Sequence, residues 1–187
     1  MKIFTISGYA GSGKDTAAGL IQEFLNANGA RVLITHNADL LKYICKTYFG
    51  WDGIKDEKGR TILQYIGTDI VRKKDPDFWV RFIVSVLTLF RDTWDYVLIP
   101  DCRFPNEIAV LKDSGFDVTT IRVHRDAIKS ALTKEQQNHP SETALDGYQF
   151  DWHINNDGSL EDLRNRVCEF LESGYHFHQI TFDELLD

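Results

Sequence analysis

The sequence predicts an α/β protein, a three-layer α/β/α sandwich on a five-stranded parallel sheet. An apolar run at the amino end, Ile3-Phe4-Thr5-Ile6-Ser7, leads through a glycine-rich turn into a segment whose apolar residues recur at helical spacing. Further apolar runs then alternate with helical patterns, as parallel strands require, because each must be joined to the next by a crossover. The 187 residues are 43% hydrophobic, enough for one buried core, so the chain 1–187 reads as a single domain.

Taken in order, the first strand gives way to Gly8-Tyr9-Ala10-Gly11-Ser12-Gly13-Lys14-Asp15-Thr16. Glycine adopts backbone angles that other residues resist, so the loop's amide hydrogens can converge on phosphate oxygens while Lys14 adds a point charge. The spacing, glycine then four residues then Gly-Lys between strand and helix, marks a cradle for a nucleoside triphosphate; an ordinary strand-to-helix turn is the alternative. Ala17, Leu20, Ile21, Phe24 and Leu25 supply the buried face of the first helix, which Asn28-Gly29 closes. A second strand is expected over 31–35, a helix from Asp39, a turn-rich loop over 49–53 and a helix over 61–66. Residues 78–90 are apolar nearly all round, which suggests a helix packed on the sheet. A third strand over 96–100 ends at Asp101, a short helix over 105–112 has proline near its start, and a fourth strand covers 118–123. Residues 125–149 are polar and without a clear strand, and read as a mobile covering segment. A fifth strand over 152–155 precedes a final helix opened by a capping box, Ser159 with Asp162; no element is read in 174–187.

Composition narrows the partners. A formal charge of -7 argues against binding a nucleic acid polymer, while a few local cations can still hold a small anion. No apolar run approaches a membrane span and the amino terminus enters the first strand directly, so a cytoplasmic protein with no membrane partner is expected. Cys45, Cys102 and Cys168 have no metal-type spacing and read as reduced thiols, with Cys102 a small buried filler or, beside Asp101, a reactive group. His176 and His178 are not read as a zinc site. A homodimer stays open.

Ligands of a parallel sheet bind at the carboxyl ends of its strands. Asp15 stands where a Ser or Thr hydroxyl usually meets magnesium; it can bind the metal, hold a water on it or cap the helix, with Thr16 facing elsewhere. Asp101 is the second metal candidate. Arg103 is the first choice for gripping a substrate phosphate by paired hydrogen bonds, the alternative being a surface ion pair with Glu107. Arg122 and Arg125 bracket the end of the fourth strand; Arg125 is the better candidate for stabilising a transferring phosphoryl group, while Lys129 and Lys134 read as solvated lysines. Asn155 and Gly158 lie in a turn that can embrace an adenine ring or be a turn alone.

Several motifs together resemble one family. They are Gly-Ser-Gly-Lys-Asp-Thr at 11–16, Leu63-Gln64-Tyr65-Ile66-Gly67-Thr68-Asp69 with Arg72, Asp75-Pro76-Asp77-Phe78-Trp79-Val80, Asp101-Cys102-Arg103-Phe104-Pro105-Asn106-Glu107, and His139-Pro140-Ser141-Glu142-Thr143-Ala144-Leu145-Asp146. The chain resembles the phage-type deoxynucleoside monophosphate kinases of the P-loop kinase superfamily, with their P-loop NTPase fold. The resemblance implies ATP and Mg2+, a deoxynucleoside 5'-monophosphate acceptor, and transfer of the γ-phosphoryl group to give a diphosphate and ADP. It implies an acceptor-binding helical region over about 39–93 and a lid over about 125–149. By the same analogy Gln64, Asp69, Arg72 and Trp79 line the acceptor site, Arg72 on its phosphate and Trp79 against its base or sugar, with packing as the alternative for Trp79 and Gln64. Asp39 faces this region or caps its helix. The rival readings are another small-molecule P-loop kinase, of the phosphomevalonate or dephospho-coenzyme A type, and a non-catalytic nucleotide switch; the absence of an Asn-Lys-x-Asp run weakens a GTPase.

Overall fold

The computed structural model describes residues 1–126 and 132–175; Lys129, His176 and His178 lie outside the described residues. Five parallel strands form one sheet: β1 (Lys2–Ser7), β2 (Val32–Ile34), β3 (Tyr96–Ile99), β4 (Asp117–His124) and β5 (Trp152–Asn155). They lie in the order β2-β3-β1-β4-β5. The cradle strand β1 is therefore central, with Ile3 level with Val97 on one side and Val118 on the other.

Alternation along each strand makes two apolar faces. Phe4, Ile6, Leu98, Ile121, Val123 and Ile154 face α1 (Lys14–Ala27) and α8 (Leu160–Tyr175) in one fully buried cluster. Ile3, Val97 and Ile99 face α4 (Phe78–Leu89) and α5 (Pro105–Asp113) in a second. The three layers predicted by the sequence follow from this. The expectation that α4 packs on the sheet holds for Val80, Ile83 and Leu87, whereas Phe82 and Leu89 on its outer side are exposed.

A third cluster, built on Leu41, Cys45, Trp51, Ile66 and Trp79, holds the helices at the sheet's carboxyl edge. There α2 (Ala38–Tyr48) is followed by α3 (Glu57–Gln64), which runs on as a π-helical stretch, Tyr65–Arg72. The helix expected over 61–66 is thus only the middle of a longer one. It starts early because the Asp56 carboxylate caps it by accepting from Gly59 N–H at 2.7 Å, and the widened turn brings the Gly67 carbonyl to the Trp79 indole N–H at 3.0 Å. The part of the covering segment that is described is also more regular than expected, with α6 (Lys134–Gln137) and α7 (Pro140–Thr143). No described helix is long and apolar enough to cross a membrane.

Candidate active site

The loop between β1 and α1 takes its shape from three glycines. Gly8, Gly11 and Gly13 all have positive φ, at 151°, 85° and 93°. Space forbids a side chain at two of them: a Cβ on Gly8 would lie 2.4 Å from the Val123 carbonyl oxygen, and one on Gly13 2.2 Å from Asn156 Nδ2. Asn156 is buried at the end of β5 and donates to the Ser12 carbonyl at 2.8 Å, so the last strand braces the loop. Lys14 is only 7% exposed, and its Nζ donates to the carbonyls of Gly8 and Tyr9, each at 2.9 Å. Burial, helped by the like charge of Arg103, pulls its pKa down to about 7. The Ser12 hydroxyl oxygen is buried without a partner.

Beside the cradle, the Asp15 carboxylate meets His36 Nε2 at 3.0 Å; the hydrogen bond holds the Asp15 pKa down and the His36 pKa up. Asp101, at the end of β3, accepts from the backbone N–H groups of Asn37 at 2.9 Å and Ala38 at 3.0 Å, one oxygen each, and so caps α2 from another element. Arg103 does not pair with the Glu107 carboxylate. Its Nη1 lies 2.8 Å from Glu142 Oε1 on α7, while Glu142 Oε2 accepts from the cradle N–H of Ala10 at 3.2 Å. Glu107, 1% exposed, instead accepts from the backbone N–H of Arg103 at 2.7 Å and of Phe104 at 3.1 Å and pairs with Arg72 Nη2 at 2.6 Å. The Arg72 guanidinium lies over the Phe104 ring, 4.0 Å from its centre.

A cavity of about 340 Å3 joins these groups. On its wall stand Ala10, Gly11, Lys14 and Asp15 from the cradle, Asp101 and Arg103 from the edge of β3, and Gln64, Arg72 and Trp79 from the helical region. Trp79 is mostly packing, buried with its indole N–H on Gly67. Gly8, Ser12 and Gly13 shape the loop from behind and Thr16 is exposed on α1, away from the wall. Asp39 accepts from the His36 backbone N–H and pairs with Lys42, and Asp69 faces His139 at 3.7 Å; neither reaches the cavity. Arg125 is off the wall too, its Nε buried without a partner. Asn155 is exposed and forms a local turn, accepting from Asp157 N–H at 2.8 Å, and Gly158 abuts Asp162. Cys102 is buried and its thiol pKa is pushed well up by that burial, which makes it a filler rather than a nucleophile. Among the described residues no cluster of three or more metal-ligating side chains occurs.

Sequence reasoning gave no site role to Glu107, Glu142, His36 or Asn156, although Glu107 was the alternative partner of Arg103 and both glutamates stand in the motifs that carry the family resemblance. Glu107 had a local signal, standing three residues after the helix-opening Phe104, and Asn156 had one in strand alternation, two residues after inward Ile154. Glu142 and His36 are brought in by distant contacts and carry no such signal.

A family model for deoxynucleotide monophosphate kinase matches residues 51–167. The chain belongs to that family. Two relatives bear the same description: the deoxynucleotide monophosphate kinase of Enterobacteria phage T4 is 35% identical over 60% of this chain, and that of Escherichia phage RB69 is 30% identical over 60%. The chain spans less than half of each, 45% and 44%. An uncharacterized protein, ORF77, of Ictalurid herpesvirus 1 (strain Auburn) is 33% identical over 88% of this chain and 68% of its own length. The fold is shared more widely. The Mycobacterium tuberculosis APS kinase CysC in complex with AMPPNP and APS superposes with a TM-score of 0.54 at 17% identity, covering 91% of this chain and 97% of that one. Shikimate kinase from Aquifex aeolicus does so with a TM-score of 0.51 at 14% identity, covering 95% and 100%. This chain thus shares its overall fold with both of these kinases.

Proposed function

We propose that the protein transfers the γ-phosphoryl group of ATP to a deoxynucleoside 5'-monophosphate, in the cytoplasm, giving ADP and a deoxynucleoside diphosphate. The observation that carries this reading is one cavity lined both by the loop residues Ala10, Gly11 and Lys14 and by Arg72 and Arg103. Two anions must be brought together there, and the walls supply cations for both. The acceptor phosphate oxygen is already anionic at neutral pH, so its in-line attack on the terminal phosphorus of ATP needs no general base. Lys14 neutralises the donor, Arg72 grips the acceptor phosphate, and Arg103 stands between them. Arg125, just beyond β4, lies off the cavity wall and is given no part in this step.

The residues suit Mg2+, which keeps several waters and takes one or two carboxylates together with substrate phosphates rather than an all-protein cage. Asp15 offers an exposed carboxylate next to Lys14, held ionised by His36. Asp101, whose two oxygens are engaged by α2, orients the site without needing to bind the metal directly. When bound, Mg2+ supplies charge neutralisation on the donor phosphates.

The test is a coupled measurement of ADP release over a panel of ribo- and deoxyribonucleoside monophosphates. ADP is expected to form quickly only when a deoxynucleoside monophosphate is present, and turnover is expected to fall by at least about a thousandfold in folded Lys14→Ala protein. Equal release with and without any acceptor, or full activity of the variant, contradicts the proposal.

A further inference from the structure

Asn37 lines the cavity at the β2–α2 junction, between His36 and Ala38, and its side-chain amide makes no hydrogen bond. It occupies the N-cap position of α2, where asparagine ordinarily accepts from an N–H of the first turn, yet it makes no such bond. Asp101 does that work from β3, taking the N–H groups of Asn37 and Ala38. The amide of Asn37 is left with both Oδ1 and Nδ2 buried and without a hydrogen-bond partner, on a residue only 5% exposed. Leaving such a group unpaired in a protein interior is costly, and an apolar residue there would avoid the cost. The residue is nonetheless part of the cavity lining, with Lys14 and Asp15 from the loop and Leu41 and Gly67 from α2 and the π-helical stretch, so its amide lies buried at the cavity's edge. Leu41, one helical turn further along the same face of α2, lines it as well and packs against Gly67 so closely that a Cβ there would lie 2.6 Å from Leu41 Cδ2.

We propose that Asn37 is a substrate-binding residue for the acceptor, its amide completing its hydrogen bonds only when the polar end of the deoxynucleoside monophosphate enters the cavity. Nδ2 donates to an oxygen of the acceptor phosphate, and Oδ1 takes a donor, a sugar hydroxyl or a water held with the nucleotide. The donor nucleotide has its own amides in the loop 8–14, whereas Asn37 is carried by the helix whose face leads to Gln64 and Arg72. This inference rests on the kinase reading above and adds to it a residue that discriminates one substrate from the other.

The prediction has an unusual sign. Truncating an unpaired buried amide should leave the empty protein as stable as before or more so, while acceptor binding suffers. The experiment compares wild type with Asn37→Ala and Asn37→Ser in three measurements: melting temperature without ligands, calorimetric Kd for Mg-ATP, and KM for the best acceptor. Expected for Asn37→Ala are an unchanged or higher melting temperature, a Mg-ATP Kd within about twofold, and an acceptor KM raised roughly ten- to a hundredfold; Asn37→Ser, which keeps a small hydrogen-bonding group, lies between. An unchanged acceptor KM overturns the proposal. So does a weakened Mg-ATP affinity with acceptor KM intact, which assigns the amide to the donor, and so does a marked fall in melting temperature or failure to fold, which makes the amide structural. Wild-type protein that turns over no acceptor at all defeats the kinase reading itself, and is recognised before any variant is compared.

Discussion

At the scale of single residues, Lys14 ties burial to pH. Its pKa falls from the ordinary 10.5 to about 7 because the ammonium is desolvated with Arg103 nearby. Between those values the unfolded chain binds the proton and the folded, empty protein does not. The burial cost is therefore fully felt below about pH 7 and relieved as pH rises toward 10.5, so this group makes the empty protein more stable with rising pH across that window. Donor phosphates favour the charged form, and binding should draw a proton from solution wherever Lys14 is neutral beforehand. Calorimetry in buffers of different ionisation enthalpy is expected to find proton uptake on Mg-ATP binding at about pH 8, little at about pH 6, and none at either from this source in Lys14→Ala. Uptake that is the same in the variant would assign the proton elsewhere. The cradle was legible in the sequence because positive φ and close approach leave only glycine as a solution at 8 and 13. Its brace was not: of two adjacent asparagines the sequence argument favoured Asn155, while strand alternation turns Asn156 inward onto Ser12.

Among elements, the covering segment matters most. In the empty protein it is fastened to the loop: Tyr9 donates its hydroxyl to Asp146 at 2.8 Å, Arg122 reaches Asp146 at 3.2 Å, and Glu142 sits on the Ala10 N–H and Arg103. The Glu142 carboxylate thus occupies two groups that donor phosphates would use, and its negative charge faces theirs. Glu142→Gln should bind Mg-ATP more tightly, by roughly three- to tenfold, as measured by calorimetry; unchanged or weaker binding would show that carboxylate and nucleotide do not compete. The sequence showed that 125–149 was polar and strandless but hid α6 and α7, each a single turn whose start depends on side-chain caps from Thr133 and His139. The π-helical stretch was equally hidden. Its widened turn depends on the contacts of Gly67 with Trp79 and Leu41, which lie far apart in the chain.

For the molecule as a whole, the two faces of the sheet were readable because period-two alternation in five short strands leaves few other ways to bury so many β-branched and aromatic side chains. The core on the α1–α8 face converges on Phe170, which is fully buried and meets the rings of Phe4 at 5.4 Å and Trp152 at 5.2 Å. Phe170→Ala should lower unfolding free energy by about 3–5 kcal/mol in urea, against about 0.5 kcal/mol or less for exposed Leu89→Ala. Similar losses for both would mean that the buried layer is not where the stability lies. The order of the strands was not legible, since alternation says which side chains point inward but not which strands are neighbours; the central place of β1 comes from pairing with β3 and β4. That place sets the glycine-rich loop at the middle of the carboxyl edge of the sheet. The most direct measurement on this arrangement follows the label from γ-phosphate-labelled ATP in the presence of a deoxynucleoside monophosphate. Recovery of the label in the deoxynucleoside diphosphate is the predicted result, and label that emerges only as inorganic phosphate, or remains in ATP with every acceptor tried, would contradict it.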